Sequence, residues 1–243
     1  RSPGSKRAAK EAGESGCDRL LRIAIGGSPK VWRGGIMGRA AAISKDSVQL
    51  RERREVVLRA ARRVFESNGL EGASIRLIAK AARCTTGSIY PYFKGKEEIY
   101  AELLSRSLED YQVHLDAEVH AAVSAKDKFR SALTAHFDFY EARPSDMSLA
   151  LYLFNGLKPQ GLTRDLDARL NAQLAAVVSV FVEAVRLVGK LSRRQAEVEV
   201  GLHLAMLFGL LTLHHTKRTK AFHVDARALL KLHIDRALAR LSA

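Results

Sequence analysis

Cysteine and proline are scarce in this chain of 243 residues, which holds two cysteines and five prolines. Cys17 and Cys84 lie far apart, a spacing that fits neither a disulfide framework nor a metal site and is typical of a protein in a reducing compartment. Because proline interrupts a helix interior, so few prolines are compatible with long unbroken helices. Hydrophobic residues make up 47% of the chain, which is enough for a buried core.

Acidic residues are too few to balance the basic ones: 26 Asp and Glu face 40 Lys and Arg, a formal net charge of +14. Such an excess favours an anionic partner, either nucleic acid or a membrane surface, over a merely soluble surface. The most apolar stretch, residues 202–213, is shorter than the roughly 20 residues that cross a bilayer. We therefore expect a buried helix there and no membrane partner.

Catalytic and metal-binding patterns are missing as well. The sequence contains no nucleophile elbow, phosphate-cradling glycine loop or Cys/His metal spacing. Asp165 and Asp167 are two positions apart and diverge on a helix, and the adjacent His214 and His215 point about 100° apart. We expect no enzyme activity, no catalytic residue, no metal and no cofactor.

Apolar residues recur at three- and four-residue steps along most of the chain, and no strand-like alternation is sustained. The fold class is therefore predicted to be all-α. The expected helices are residues 46–67, 75–82, 86–92, 96–120, 125–140, 145–155, 163–188, 192–215 and 224–241. Residues 1–43, rich in Gly, Ser, Ala and basic residues, are predicted to form a disordered basic tail.

Residues 74–93 have the pattern of a helix-turn-helix, in which two short helices flank a tight turn near Arg83 and Cys84. Ile78, Ala79 and Ile89 would close a small core against the first helix, and the Thr85 hydroxyl would cap the third helix. A short helix of this kind fits the DNA major groove with its first residues on base edges. A plain three-helix bundle is the alternative.

Small and hydroxyl-bearing residues dominate this third segment. Thr86, Gly87 and Ser88 are small enough to bring the backbone close to DNA, and the hydroxyls of Tyr90 and Tyr92 can reach phosphate oxygens. The predicted DNA-binding residues are Arg76, Arg83, Thr85, Thr86, Gly87, Ser88, Tyr90, Tyr92 and Lys96.

Three motifs between residues 60 and 98 form a specific pattern. They are Ala60-Ala61-x-x-Val64-Phe65 with Gly69, then Ile78-Ala79, then Gly87-Ser88-Ile89-Tyr90-x-Tyr92-Phe93-x-x-Lys96-Glu97-Glu98. Residues 50–100 thereby resemble the DNA-binding domain of the tetracycline-repressor (TetR) family. The resemblance implies that residues 85–88 approach the bases and that Tyr90, Tyr92 and Lys96 hold phosphates. It also implies a C-terminal domain that dimerises through its last two long helices and encloses a small-molecule pocket.

Two positions depart from the family pattern. Arg83 stands where the family usually has a turn glycine, which would cost about 1 kcal/mol if its φ is positive. Thr86 replaces a frequent lysine or other long side chain, which removes one interaction with DNA.

The helix expected at residues 192–215 is apolar on all sides, and such a helix must be buried all round. A second subunit is the natural cover for its outer side, although burial within a monomer is the alternative. Small residues four apart would let another helix approach. The predicted dimer interface is Gly201, Ala205, Phe208, Gly209, Leu230, His233 and Ala237.

Aromatic residues of the C-terminal half are candidates for an effector pocket, although aromatics at helical spacing are more often plain core. The candidates are Phe137, Tyr140, Tyr152, Phe154, Phe181 and Phe208. His136 and His203 are lone histidines in apolar surroundings, so we expect them to be hydrogen-bonded core residues. The composition favours a small hydrophobic effector.

The sequence therefore predicts three regions: the tail at 1–43, a helix-turn-helix DNA-binding domain at 44–95, and a helical regulatory and dimerisation domain at 96–243. The protein is predicted to be a dimeric, sequence-specific transcriptional regulator that acts as a repressor. It would bind a palindromic operator, and a small-molecule effector would release it from that DNA. An architectural DNA-binding protein without an effector is the alternative. Either would work in the cytoplasm on the nucleoid.

Overall fold

The computed structural model describes residues 45–152 and 162–242, and all the regular structure within them is helical. The predicted all-α class is confirmed. The tail expected at 1–43, the end of the helix expected at 145–155, Phe154 and the side chain of Tyr152 lie outside the described residues. The helices are α1 (Lys45–Gly72), α2 (Ile75–Ala82), α3 (Lys96–Ala121), α4 (Ala125–Ala142), α5 (Pro144–Tyr152), α6 (Arg164–Gly189), α7 (Arg193–His215) and α8 (Ala226–Leu241), with 3-10 turns at Thr86–Ser88 and Arg218–Phe222.

The helical run of α1 is interrupted at Gly69, two residues beyond the helix end expected at residue 67. Its φ of 64° and ψ of 178° lie in a region that is essentially restricted to glycine. The break turns the chain so that Leu70 and Ala73 are buried under the following helix. Gly69 thus sets the angle at which α2 leaves α1.

Both ends of α2 are fixed by local hydrogen bonds. The Ser74 hydroxyl accepts from the backbone N–H of Leu77 at 3.2 Å and caps the first turn. At the other end Arg83 has φ 55° and ψ 44°, and the Cys84 N–H donates to Ala79 at 3.0 Å, closing the helix in a Schellman-type turn. The φ of Arg83 is therefore positive, which is the condition under which the departure from glycine is costly, and such a conformation costs about 1–2 kcal/mol in a non-glycine residue.

Two apolar cores share helix α3. Its first half, from Ile99 to Leu108, packs with α1, α2 and residues 89–93, and this core extends past the boundary expected at residue 95. Its second half, with Tyr111 and Leu115, packs with α4, α6, α7 and α8. One continuous helix therefore contributes side chains to both cores.

Helix α7 begins with a capping box, in which the Ser192 side chain accepts from the Gln195 N–H and the Gln195 side chain accepts from the Ser192 N–H. Helices α6 and α8 have simple N-caps: the Thr163 hydroxyl accepts from the Leu166 N–H, and the Asp225 carboxylate accepts from the Ala228 N–H. These polar residues explain where the long helices start.

Within the described residues, α6 and α7 are long and apolar enough to span a bilayer by length and composition. Core helices of other proteins pass the same test. Here both helices pack against α4 and against each other, and each keeps one face on the surface of the single chain.

Candidate functional site

The 86–92 segment presents polar side chains on top of two buried anchors. Ile89 and Phe93 are almost fully buried, and they hold the segment on the core formed with α1 and α2. Most of the residues between and before them are exposed, and Tyr90 is 56% accessible. The structure therefore leaves most of the predicted DNA-binding residues accessible: Arg76, Arg83, Thr85, Thr86, Gly87, Ser88 and Tyr90 are exposed and Tyr92 is half-buried.

The third helix of the predicted helix-turn-helix is not an α-helix, which corrects the sequence-based expectation. A 3-10 turn covers Thr86–Ser88, and turns continue to Tyr92. Pro91 has no N–H to donate to Gly87 and also disfavours the helical conformation of Tyr90. The segment is consequently a compact series of turns that is wound more tightly than an α-helix.

The expected cap by Thr85 is also wrong. The Thr85 hydroxyl makes no capping bond to the backbone and lies 2.9 Å from the Ser88 hydroxyl instead. This pairing holds both hydroxyls on the exposed side of the turn, where each keeps capacity for a further hydrogen bond.

The described part of the structure does not require a glycine at position 87. Its φ is not positive, and a Cβ placed on it would meet only the Thr85 hydroxyl oxygen, at 3.8 Å. The bare backbone at this exposed position is available for close approach by another molecule.

Lys96 is placed differently from the free phosphate-binding ammonium predicted for it. Its Nζ donates to three backbone carbonyls, those of Leu70 at 2.8 Å, Ala73 at 3.2 Å and Glu71 at 3.4 Å. All three donors of the ammonium are thereby occupied. Lys96 fastens the start of α3 to the α1–α2 connection, whereas the neighbouring Lys94, which the sequence motifs did not single out, is exposed.

The arginines of α1 divide into those in ion pairs with α3 and those on the surface. Arg106 of α3 binds Glu55 through two hydrogen bonds of 2.8 Å, which lower the pKa of the Glu55 carboxyl. Arg54 joins this network through Glu102 at 3.1 Å and stacks 5.0 Å from the Phe93 ring centroid. These interactions fix α3 on α1 and leave other α1 arginines on the surface: Arg51, Arg53, Arg59 and Arg63 are exposed.

Helix α5 connects the two cores. Arg62 of α1 lies 2.6 Å from the largely buried carboxylate of Asp146, and the Tyr100 hydroxyl donates to the Leu149 carbonyl. On the other side, burial and then the negative charge of Asp146 raise the pKa of Tyr140. None of these pairings was anticipated from the sequence, because their partners are distant along the chain.

An aromatic shell lies in the core of the C-terminal half. It consists of Tyr111, His136, Phe139, Tyr140, Phe181 and Phe208. Three of the predicted pocket residues, Tyr140, Phe181 and Phe208, thus meet around His136. Phe137 lies outside this cluster, since its ring contacts His214 and the Arg227 guanidinium instead.

The structure corrects the expectation that His136 and His203 are fully hydrogen-bonded. His136 Nδ1 pairs with the Tyr111 hydroxyl at 2.6 Å and His203 Nδ1 with His233 Nε2 at 2.9 Å. The Nε2 atom of each is buried and has no hydrogen-bond partner among the described residues. Burial lowers the pKa of His136 to about 3 and that of His203 to about 4, so both rings are neutral at pH 7.

One face of α7 stays uncovered in the single chain, and we call it the α7 stripe. Its members are exposed and spaced along one side of the helix: Val198, Gly201, Leu202, Ala205, Gly209 and Thr212. A Cβ placed on Gly201 or Gly209 would meet nothing within 4 Å. Leu230 and Ala237, which were predicted at the dimer interface, are buried in the chain's own core and are therefore not accessible to a partner. Phe208 and His233 of the same prediction are half-buried.

Comparison with known proteins agrees with this geometry. Residues 57–103 match the family model of bacterial regulatory proteins of the tetR family. The fatty acid metabolism regulator protein of Bacillus subtilis (strain 168) is 26% identical over 156 residues, covering 64% of this chain and 77% of the relative. The transcriptional repressor KstR2 of Mycolicibacterium smegmatis is 34% identical over 95 residues, covering 37% of this chain and 44% of the relative.

A solved structure extends the similarity to the whole fold. The regulator FadR from Bacillus subtilis in complex with stearoyl-CoA superposes with a TM-score of 0.58 at 21% identity, covering 78% of this chain and 97% of that one. Together with the exposed 86–92 segment on its helix-turn-helix core, these matches identify the chain as a DNA-binding transcriptional regulator that carries a DNA-binding domain of the TetR type at residues 57–103.

Proposed function

We propose that this regulator is a homodimeric repressor that binds a palindromic operator and releases it when a small hydrophobic effector enters the aromatic shell. The observation that carries effector control is the position of α5. Asp146 on this helix pairs with Arg62 of the DNA-binding core, and the same helix packs against α4, which carries Tyr140 of the shell. A ligand that displaces Tyr140 therefore acts on the same helix that holds α1.

On this proposal the 86–92 segment enters the major groove. Thr85, Thr86 and Ser88 supply hydroxyls for base edges, and bare Gly87 lets the backbone come close. The hydroxyls of Tyr90 and Tyr92 bind phosphate. The exposed cations that surround the segment add further phosphate interactions: Arg76, Arg83 and Lys94.

The α7 stripe supports a dimer. Within the stripe, Leu202 is 60% exposed and Val198 is 44% exposed, and two glycines lie on the same side of the helix. An uncovered apolar stripe with small residues is suited to close packing against another helix. A second copy offers the same stripe with two-fold symmetry, which matches the symmetry of a palindromic site. The two 86–92 segments would then lie one DNA turn, about 34 Å, apart.

The shell's chemistry supports an apolar effector. Its rings are buried apart from half-buried Phe208, so the ligand must gain its affinity largely from apolar burial. One relative regulates fatty acid metabolism, and the solved FadR holds stearoyl-CoA. We therefore propose a long-chain acyl compound as the effector class.

Selection of preferred duplexes from random DNA tests the DNA-binding part of the proposal. We expect enrichment of one palindrome that binds roughly 10³-fold or more tightly than random duplex. An architectural protein would show no such preference, and equal binding to all duplexes would overturn the proposal. On the proposed function the protein acts in the cytoplasm at the nucleoid, where the operator lies.

Sedimentation analysis of Leu202→Glu tests the dimer. A charge in the centre of the α7 stripe should convert the dimer to a folded monomer, because the stripe faces away from the chain's own core. Val113→Glu is the matched control, since Val113 is 71% exposed on α3 and outside the stripe. A wild-type protein that sediments as a monomer at micromolar concentration would contradict the proposal.

A further inference from the structure

An unmatched polar atom lies in the centre of the aromatic shell. The His136 ring is 2% exposed, and its centroid is 5.0 Å from that of Tyr140 and 5.2 Å from that of Phe208. Its Nδ1 is satisfied by the Tyr111 hydroxyl, but its Nε2 has no hydrogen-bond partner among the described residues. Buried polar groups are rarely left unpaired, so this atom requires an explanation.

The hydrogen bond between Tyr111 and His136 assigns the proton of the imidazole. If Nδ1–H donated to the Tyr111 oxygen, both the phenol proton and the Nε2 lone pair would be unpaired, because no second partner of that hydroxyl lies among the described residues. If the phenol donates to Nδ1, only the Nε2–H is unpaired. The second arrangement leaves fewer groups unsatisfied, and His136 therefore presents an N–H donor to the shell.

Both members of the pair are neutral. Burial lowers the pKa of His136 to about 3 and raises that of Tyr111 well above its ordinary value. Within the described part of the chain, the rings that meet His136 are those of Tyr111, Tyr140, Phe181 and Phe208, none of which is charged. A carboxylate placed here would lose its hydration to a single neutral donor, whereas a neutral carbonyl oxygen would lose much less.

We propose that His136 Nε2–H is the polar anchor of the effector site and that it binds a neutral carbonyl oxygen, such as that of a thioester or ester, at the head of the apolar chain. The proposal rests on the effector function above and specifies its ligand chemistry. Tyr111 is a positioning residue, since it fixes the tautomer of His136 and does not touch the ligand carbonyl. Half-buried Phe208 marks the side of the shell nearest the surface.

The test compares three probes that share one chain: stearoyl-CoA, methyl stearate and stearate. Direct binding to the full chain is measured by calorimetry. Wild type should bind methyl stearate about tenfold or more tightly than stearate, and Tyr111→Phe/His136→Phe should bind stearoyl-CoA and methyl stearate about tenfold more weakly than wild type does. The double variant removes both polar partners together and keeps a planar aromatic ring at each position, so it should fold.

The matched control is His203→Phe. His203 is an equally buried histidine, but its ring neighbours are Phe129 and His233, outside the shell, so the affinities for stearoyl-CoA and methyl stearate should be unchanged. A second measurement uses ¹⁵N-histidine-labelled wild type, in which His136 should show the Nε2–H tautomer and a downfield shift of that proton when methyl stearate binds. This measurement needs no variant to fold.

The outcomes separate this proposal from the proposed function. If stearoyl-CoA releases the operator but the double variant binds all three probes as wild type does, the anchor is wrong and the function stands. An Nδ1–H tautomer, or tighter binding of stearate than of methyl stearate, would also overturn the anchor. If wild type binds none of the probes, the acyl effector itself is wrong.

Discussion

The Arg62 guanidinium lies 2.6 Å from the Asp146 carboxylate and joins α1 of the DNA-binding core to α5 beside the aromatic shell. Asp146 is largely buried, so the pair is shielded from solvent more than a surface ion pair. The pair therefore links α5, which packs against α4 of the shell, to α1 of the DNA-binding core.

Asp146→Asn should uncouple the two sites. In wild type an effector is expected to weaken operator binding by roughly 5- to 150-fold, the usual range of allosteric coupling. The variant keeps the side-chain shape but loses the charge, so we expect coupling below about fivefold with operator affinity in the absence of effector little changed. Fluorescence anisotropy of labelled operator with and without stearoyl-CoA measures this.

Asp235→Asn is the control for that experiment. It breaks the solvent-exposed pair with Arg130, which spans α4 and α8 and does not involve α5. Coupling should remain at the wild-type value, and an equal loss in both variants would show that the Arg62–Asp146 pair has no special role.

Gly87→Ala should weaken DNA binding without destabilising the protein. The added methyl group meets no close neighbour within the chain, so the thermal midpoint should not move. In the operator complex it would stand where the backbone approaches the bases, and we expect at least a tenfold loss of affinity, about 1.4 kcal/mol. Unchanged affinity would mean that DNA does not approach Gly87.

Lys94 and Lys96 should separate into a DNA-binding role and a structural role. Lys94→Met removes an exposed cation and should reduce the slope of log affinity against log salt by about 0.9 for each phosphate that is no longer neutralised, with unchanged stability. Lys96→Met leaves carbonyls of the α1–α2 connection unpaired and should cost about 1–3 kcal/mol of unfolding free energy. A reduced salt slope in a stable Lys96→Met would restore the phosphate-binding role that the sequence pattern predicts for it.

Stability should rise with pH between 5 and 7 because of the buried histidines. The pKa values of His136 and His203 are lowered by burial to about 3 and about 4, below the 6.5 of an exposed histidine. The unfolded state therefore binds more protons in this window, and folding loses up to about 1.4 kcal/mol per histidine for each pH unit below 6.5. This stability is fully present above pH 6.5.

Urea denaturation of wild type and Tyr111→Phe/His136→Phe at pH 5 and pH 7 measures this dependence. The variant should show a smaller difference between the two pH values, because the His136 ring no longer titrates while His203 and His233, whose pKa values burial also lowers, remain. Identical differences would mean that His136 is already protonated at pH 5 or remains hydrated in the folded protein.

Local sequence signals predicted the helices well, since their causes are local. Capping residues such as Ser74 and Ser192 lie one turn before the backbone N–H groups from which they accept hydrogen bonds. Gly69 and Arg83 interrupt helices through their own backbone conformations. Pro91 indicates that the third helix cannot be regular, but the helical spacing of its neighbours favours a helix, and the two signals conflict.

Pairings between distant residues were beyond prediction. The bond from Lys96 to Leu70 depends on how α3 crosses α1, and the Arg62–Asp146 pair joins residues 84 positions apart. The Tyr111–His136 pair required the packing of α3 on α4. Periodicity identifies which side of a helix is buried, but it does not identify which polar atom on that side meets a partner.

Titration of stearoyl-CoA into the complex of the full chain with its selected palindrome is the decisive test of effector-controlled DNA binding. We expect the anisotropy of the labelled operator to fall to that of free DNA as stearoyl-CoA saturates the protein, and Asp146→Asn to bind the ligand while retaining the operator. An operator that stays bound to wild type when calorimetry shows the protein saturated with stearoyl-CoA would contradict effector control.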